Sequence, residues 1–163
     1  MSLPFDPIAE ACKNWEKHGW TAVEQMAVAT SVTRAHQILL QHIDNSLNSF
    51  GLNFSRFEAL ALLYSTRKGS LPLGKIGNRL QVHPTSVTNT IDRLENDGLV
   101  VRKPHPSDKR ATLAEITEEG RSRVSLAAKS LGEIEYGLKA MSEKDLKKIK
   151  TGLSSLRHSE GDF

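Results

Sequence analysis

The sequence has few or none of the features that mark several large classes of protein. Its 163 residues include a single cysteine, Cys12, so an internal disulfide is excluded, and with it the disulfide framework of small secreted domains. No run of about 18 apolar residues occurs, which argues against a membrane-spanning helix. The first residues lack the basic start and apolar stretch of a signal peptide. These absences predict a cytoplasmic protein that does not enter the membrane.

Sequence motifs for catalysis and metal binding are also missing. There is no Gly-x-Ser-x-Gly elbow, no phosphate-binding loop and no His-Glu-x-x-His pair, so no enzyme is expected. The six histidines are scattered, and neither a metal site nor a cofactor is predicted. The tetrapeptide at Gly74–Gly77 matches the Gly-x-x-Gly loop of an RNA-binding module. However, Leu73, Ile76 and Leu80 place it inside an amphipathic helix, so that interpretation is rejected.

The charge is distributed unevenly along the chain. Residues 1–66 carry four Lys or Arg against six Asp or Glu, residues 67–110 carry nine against four, and residues 111–163 carry nine of each. The basic excess in the middle segment suggests a polyanionic partner, with an unevenly charged solvated surface as the alternative. The hydrophobic fraction of 38% is low, which is consistent with apolar helices that await a partner.

The N-terminal third is predicted to be helical. Asp6 and Pro7 form the start of a short helix that ends at Gly19. A longer helix is predicted over residues 21–50, because apolar residues recur at steps of three and four and form one stripe. A capping box, with Ser55 reaching forward and Glu58 reaching back, is predicted to open the next helix. The stripe of the long helix consists of Val28, Val32, Ala35, Leu39, Ile43, Leu47 and Phe50.

A helix-turn-helix is predicted in the middle segment. Pro72 begins a compact helix, and a tight break at Val82–His83 leads into a second helix whose first residue is Pro84. In that second helix, apolar residues at i, i+4 and i+7 form a buried seam. Small polar side chains lie off the seam near the N-terminal end, where a recognition helix approaches base edges in the major groove. The seam is Val87, Ile91 and Leu94; the polar residues are Thr85, Ser86, Thr88, Asn89 and Asp92.

A β-hairpin is predicted directly after these helices. Residues 99–104 are rich in β-branched side chains, residues 105–110 contain turn formers, and residues 111–117 alternate as a half-buried strand does. The hairpin beside a helix-turn-helix gives the arrangement of a winged helix, with the charged hairpin tip as the wing. The fold class is therefore mainly α with a small β-hairpin.

Residues 86–120 resemble the signature of the MarR family of winged-helix transcriptional regulators. The family pattern is an Asp-x-Arg wing, here Asp108 and Arg110, followed by Leu/Ile-Thr-x-x-Gly, here Ile116, Thr117 and Gly120. The resemblance covers roughly residues 21–156. It implies an obligate homodimer on a near-palindromic operator, repression by default, and in many members release by a small ligand.

Several residues of the predicted DNA surface have a predicted role. Arg110 is predicted to enter the minor groove, and Lys109 and Lys103 to contact phosphates. Asp108 is predicted to brace a wing arginine. Asn89 stands where many relatives carry Arg or Lys, and an asparagine pairs with adenine. Arg93 is ambiguous between a phosphate contact and an ion pair with Glu95, Asp97 or a wing acid. The predicted DNA-contacting residues are Thr85, Ser86, Thr88, Asn89, Arg93, Lys103, Asp108, Lys109 and Arg110.

We expect the chain to consist of three segments. Residues 1–50 and 117–163 are assigned to dimerisation helices, and residues 51–116 to the winged helix-turn-helix that binds double-stranded DNA. Thr117 is predicted to cap the first C-terminal helix, and Ser142 together with Asp145 the second. A dimer interface built from both ends of the chain is favoured over packing within a monomer, because a twofold pair matches palindromic DNA.

A small aromatic or phenolic effector is implied by the resemblance, bound between the dimerisation helices and the winged domain. The aromatic candidates could instead be plain core. Redox sensing through Cys12 is an alternative, with a buried inert thiol as the simpler interpretation. A winged-helix adaptor that binds protein and not DNA is the other alternative. The candidate pocket residues are Trp15, Trp20, His36, Phe54, Phe57 and Tyr64.

Overall fold

A computed structural model describes residues 3–108 and 111–163. The described residues are mostly helical, with one small antiparallel sheet, as the sequence predicts. The helices are α1 Pro7–Lys17, α2 Val23–Leu47, α3 Phe54–Tyr64, α4 Leu73–Leu80, α5 Pro84–Asn96, α6 Glu118–Glu133 and α7 Glu143–Ser159. The strands are β1 Ser70–Pro72, β2 Val100–Pro104 and β3 Thr112–Ile116.

The first two helices follow the sequence pattern closely. The Asp6 carboxylate accepts a hydrogen bond from the Ile8 N–H at 2.9 Å, and Pro7 is the first residue of α1. The long helix α2 ends in a short 3-10 turn over Asn48–Phe50. Its apolar stripe divides into two environments: Ile43 and Leu47 are buried, whereas the N-terminal part of the stripe is exposed.

The capping box predicted at Ser55 and Glu58 is wrong. Helix α3 begins at Phe54, and its cap is Asn53, whose side-chain oxygen accepts the Arg56 N–H at 3.1 Å. A second N–H at this end, that of Phe54, donates to the Asp44 carboxylate of α2 at 2.8 Å. Two of the free N–H groups at the helix start are therefore satisfied without the Ser55 hydroxyl, and Glu58 does not take part in the cap.

The sheet has the strand order β1-β3-β2, so β3 is central and β2 lies at an edge. Strand β2 pairs antiparallel with β3, with Arg102 opposite Ala114. The short strand β1 pairs with the other side of β3, with Leu71 also opposite Ala114. The small, fully buried Ala114 lies at the centre, where the two edge strands meet the helices.

One hydrophobic core joins the helices to the sheet. It takes residues from α2, α3, α4, α5, α6 and all three strands, so the winged unit is held by the C-terminal half of α2 and the middle of α6. This packing fixes α5 relative to the hairpin of β2 and β3. The largest fully buried side chains are Leu47, Leu52, Leu60, Leu63, Ile76, Ile91, Leu94, Leu99, Val100 and Leu131.

Helix α7 lies outside this core. None of its residues is buried, although Ile149, Leu153 and Leu156 form an apolar row that is 39–53% exposed. Its N-cap is Ser142, as predicted, whose hydroxyl accepts the Asp145 N–H at 3.2 Å. No helix in the described part of the chain is long and apolar enough to cross a membrane.

Candidate nucleic-acid interface

Helix α5 has one buried and one exposed face, as the sequence predicts. Val87, Ile91 and Leu94 are at most 3% exposed and pack into the core. The polar residues of the first two turns face solvent. At the head of the helix, His83 is the N-cap and its Nδ1 accepts the Thr85 N–H at 3.3 Å. Helix α5 therefore exposes small polar side chains on one face, while its opposite face is held in the core.

The turn between α4 and α5 depends on close backbone packing at Gly77. A Cβ atom at this position would lie 3.2 Å from the Val82 carbonyl oxygen and 3.2 Å from a methyl group of Val87. The absence of a side chain lets α4 approach the first turns of α5 closely. Gly77 therefore helps to set the angle at which α5 leaves the turn.

Arg102 joins the wing to α5, and sequence reasoning did not single it out. Its guanidinium forms ion pairs with Glu95 and, at 2.6 Å, with Asp92. A longer hydrogen bond, 3.4 Å, reaches the Thr88 carbonyl oxygen. Two acids three residues apart on a helix, followed across a glycine turn by an arginine in a strand, are the sequence signal that could have indicated this cluster.

The negative charges of Asp92 and Glu95 on α5 are offset by the Arg102 guanidinium. The pKa of Glu95 is lowered from its ordinary value, first by the hydrogen bond from the Arg102 backbone N–H and then by the bond from its guanidinium. Asp92 is half exposed but shares the same guanidinium. Helix α5 consequently does not carry two unpaired carboxylates on this face.

The alternatives for Arg93 are narrowed by its neighbours. Asp97 pairs with Arg56 of α3 at 3.2 Å, and Glu95 pairs with Arg102. Within the described ranges, Arg93 is exposed and forms no ion pair. Two of the acids considered for Arg93, Glu95 and Asp97, are thus paired with other arginines, and the phosphate contact stays a prediction.

The wing is ordered by its backbone and by His105. The Nδ1 of His105 accepts N–H groups of Ser107 at 3.3 Å and Asp108 at 3.2 Å, and the Asp108 carbonyl accepts the Ala111 N–H at 3.0 Å. Lys103 pairs with Glu115 across the hairpin at 2.7 Å, so a phosphate contact by Lys103 would compete with this ion pair.

Two of the predicted wing residues, Lys109 and Arg110, lie outside the described residues. Their predicted contacts with phosphate and minor groove therefore remain predictions, as does the brace between Asp108 and a wing arginine.

The base of the wing explains part of the sequence motif. The Thr117 hydroxyl donates to the Gly98 carbonyl at 2.8 Å and accepts the Gly120 N–H at 3.0 Å, so Thr117 caps α6 as predicted. A Cβ atom on Gly120 would lie 2.2 Å from the Leu99 carbonyl oxygen. The Thr-x-x-Gly spacing thus lets α6 begin directly against the turn that leads from α5 into β2.

A small cavity of about 50 Å³ lies on the inner side of α5. Glu58 of α3 lines it together with Ser55 and with Ser86 and Thr90 of α5. Glu58 is half-buried, and burial raises the pKa of its carboxyl. Glu58 is the sole charged residue among those that line the cavity.

The candidate ligand residues at the N-terminal end form one pair. Trp15 and Trp20 are in edge-to-face contact with ring centroids 4.6 Å apart, at the junction of α1 and α2. His36 lies on the exposed surface of α2, and Cys12 is a partly exposed free thiol on α1. A pocket role for Trp15, Trp20 and His36 stays a prediction.

The other three candidates lie on α3. Phe57 is 6% exposed and belongs to the core, and Phe54 packs against that core. Tyr64 is about half exposed, with the Arg121 guanidinium 5.8 Å from its ring centroid. A ligand could contact Tyr64 without rearrangement, whereas Phe57 is occupied by packing. Among the residues that the structure describes, no cluster of three or more His, Cys, Asp or Glu side chains is placed to hold a metal ion.

Comparison with known proteins agrees with this geometry. A family model described as MarR family matches residues 52–112. The transcriptional regulator MhqR of Bacillus subtilis is 38% identical over 89 residues, which are 55% of this chain and 60% of MhqR. The chain thus spans less than two thirds of that relative's length.

Solved structures extend the match to most of the chain. Sco5413, a MarR family transcriptional regulator from Streptomyces coelicolor, is 46% identical and superposes with a TM-score of 0.82, covering 87% of this chain and 99% of that one. Sco3205 from the same organism, solved in complex with DNA, shares the fold at 20% identity with a TM-score of 0.74, covering 86% and 89%. The matched proteins are named as regulators and not as enzymes. The chain belongs to the MarR family of transcriptional regulators.

Proposed function

We propose that the protein is a sequence-specific regulator that binds double-stranded operator DNA as a homodimer and represses transcription until a small ligand releases it. Its place of action would be the cytoplasm, where the operator lies. In this proposal residues 51–116 read the DNA, and residues 1–50 and 117–163 form the dimer.

The exposed head of α5 is the observation that carries the proposal. Thr85, Ser86, Thr88 and Asn89 are all exposed on one well-anchored helix, and small polar side chains permit close approach to base edges. The compensation of the α5 acids by Arg102 supports the same conclusion, because unpaired carboxylates would repel phosphates. Sco3205, which shares the fold, was solved in complex with DNA, and this supports duplex DNA as the partner.

Asn89 is proposed to select adenine, because its amide can donate to and accept from the adenine edge at the same time. Affinity measured across the four base pairs at the facing operator position would test this assignment. The wild type should prefer adenine, and Asn89→Ala should flatten the preference. Equal affinity of the wild type for all four bases would overturn the assignment.

The apolar row of α7 supports the homodimer. Most of the stability of a helix in a protein comes from packing of its apolar face, yet the 17-residue helix α7 has no buried residue within its own chain. Val28 and Val32 of α2 are likewise 60% and 40% exposed. A second copy would cover both rows, and a twofold pair would place its recognition helices about 34 Å apart, as successive major grooves require.

Release by a small aromatic or phenolic ligand is proposed from the family. Among the predicted pocket residues, Trp20 and Tyr64 have exposed rings that such a ligand could cover. A ligand that changes the separation of the recognition helices by a few ångströms would lower the affinity for both half-sites together. Thermal-shift measurements with small aromatic acids and phenols test this part, and the absence of any stabilisation would count against it.

Binding of random-sequence duplex DNA separates the regulator from the adaptor. A regulator should bind, with the logarithm of affinity falling steeply and linearly with the logarithm of salt concentration. An adaptor that recognises protein would not bind duplex DNA at any salt concentration. The redox alternative has its own test: if peroxide releases DNA from the wild type but not from Cys12→Ser, Cys12 is the sensor.

A further inference from the structure

Arg102 contacts three successive positions on one face of α5. Its guanidinium reaches the Thr88 carbonyl, the Asp92 carboxylate and the Glu95 carboxylate, which are spaced i, i+4 and i+7. These positions span two turns of the helix. One side chain from the wing thus holds the recognition helix over most of its length.

The backbone of Arg102 takes part in the same contact. Strand β2 is an edge strand, and the Arg102 N–H donates to the Glu95 carboxylate at 2.9 Å. Glu95 is consequently attached to the wing twice, through the peptide group and through the guanidinium. This double attachment fixes both the rotation of α5 about its axis and its distance from the hairpin.

The chemistry of this contact requires arginine. A planar guanidinium can bond to two carboxylates and a carbonyl at once, whereas a lysine ammonium is a single point charge. The Arg102 side chain is 24% exposed, so most of its surface is committed to α5 and little of it is available to DNA.

We infer that Arg102 is a positioning residue for DNA recognition, which sets the orientation of α5 relative to the wing through Asp92 and Glu95. This inference rests on the proposed function, because orientation matters only if both elements meet the same duplex. The wing and the recognition helix would then dock as one rigid unit, each in register with its own groove.

The contact is tested first without DNA, by thermal unfolding of a double-mutant cycle. The variants are Arg102→Gln, Glu95→Gln and the two combined. If the pair braces the fold, the combined variant should lose less melting temperature than the two single losses added together. Strict additivity would show that the two residues do not act on each other.

The effect on recognition is tested with two DNA probes, a random-sequence duplex and a duplex that the wild type enriches from a random pool. Arg102→Lys keeps the charge and Glu95→Gln removes a negative charge, yet both should lower the ratio of specific to random affinity, by about tenfold. The slope of affinity against salt should change by less than about one unit, since no phosphate contact is lost. Arg123→Lys is the matched control. The Arg123 guanidinium, on α6, likewise donates to a carboxylate, that of Glu119, and to a backbone carbonyl, that of Phe50.

Three results would overturn the inference. If Glu95→Gln binds both DNA probes more tightly than the wild type, the Glu95 charge acts by repelling DNA and not by positioning α5. An equal loss on both probes by Arg102→Lys, with a slope reduced by about one, would make Arg102 a phosphate contact. If Arg123→Lys lowers the ratio of specific to random affinity as much as Arg102→Lys does, the loss would reflect a general loss of stability. If the wild type binds no duplex, the proposed function fails, and the unfolding cycle then decides the brace alone.

Discussion

Replacing Gly120 by alanine tests the packing at the base of the wing. The added Cβ would lie 2.2 Å from the Leu99 carbonyl oxygen and 2.8 Å from Ile116 Cγ1. Ordinary contact needs more than a further ångström, and the first obstacle is backbone. That carbonyl also accepts the Thr117 N–H at 3.1 Å, so relieving the clash strains or breaks a hydrogen bond between the residue after β3 and the residue before β2.

The expected loss in the free energy of unfolding is large for one methyl group. Overpacking costs about 1–3 kcal/mol, and a weakened backbone hydrogen bond adds about 1 kcal/mol. A total of about 3 kcal/mol corresponds to a fall of roughly 6–12 °C in melting temperature for a chain of this size.

Gly132→Ala is the matched control for this substitution. It lies in the same helix, and a Cβ there meets nothing within 4 Å. Alanine should therefore raise the stability, by up to about 1 kcal/mol. Both variants are measured by thermal unfolding at one protein concentration, because an oligomer has a concentration-dependent melting temperature. A Gly120→Ala variant as stable as the wild type would refute the packing described for the wing base.

Three other predictions concern charge, assembly and the wing. Glu58→Gln should raise the melting temperature near neutral pH, because the raised pKa of Glu58 means that its charged form destabilises the folded state. The gain should shrink as the pH falls and wild-type Glu58 becomes protonated, and destabilisation at neutral pH would contradict the half-buried placement. If the protein is the homodimer proposed above, Leu153→Asp should convert it to a monomer in light scattering, whereas Lys147→Ala should not; a Leu153→Asp variant that stays dimeric would argue against α7 as an interface. Asp108→Ala should weaken DNA binding although it removes a negative charge, and stronger binding would favour simple repulsion over a brace.

The sequence predicted best what depends on local periodicity. The seam of Val87, Ile91 and Leu94 and the start of α5 at Pro84 were correct because they follow from helical spacing and from the fixed φ of proline. The cap at Thr117 was correct for a similar reason, since Glu118 and Glu119 follow it at the start of a helix. Such signals act within a few residues and need no knowledge of the tertiary fold.

Competing local signals led to the wrong cap on α3. Asn53 and Ser55 are both good capping residues placed just before an apolar run, and Glu58 completes a capping box with Ser55 alone. The Asp44 carboxylate of α2 accepts the Phe54 N–H, and this hydrogen bond favours a helix that begins two residues earlier. That contact spans ten residues and joins two helices, which the sequence pattern does not show.

Long-range pairing was the part that sequence reasoning missed. Arg102 follows Glu95 and Asp92 by seven and ten residues, with a turn between them, so no periodicity connects the three. Similarly, the stripe of α2 was correct as a stripe, but its pattern did not show that Ile43 lies in the winged core and Val28 outside it. Apolar periodicity predicts which face of a helix is buried, but it does not predict which part of the protein, or which partner, packs against that face.

The central claim is that the exposed face of α5 and the wing meet duplex DNA. Fluorescence anisotropy with a random-sequence duplex, over about 50–200 mM salt, measures this most directly. We expect binding whose logarithmic affinity falls linearly and steeply with the logarithm of salt concentration. With a duplex enriched from a random pool as a second probe, Asn89→Ala should lose the preference for the selected sequence. Absence of duplex binding at the lowest salt concentration, in a protein that is folded and dimeric, would contradict it.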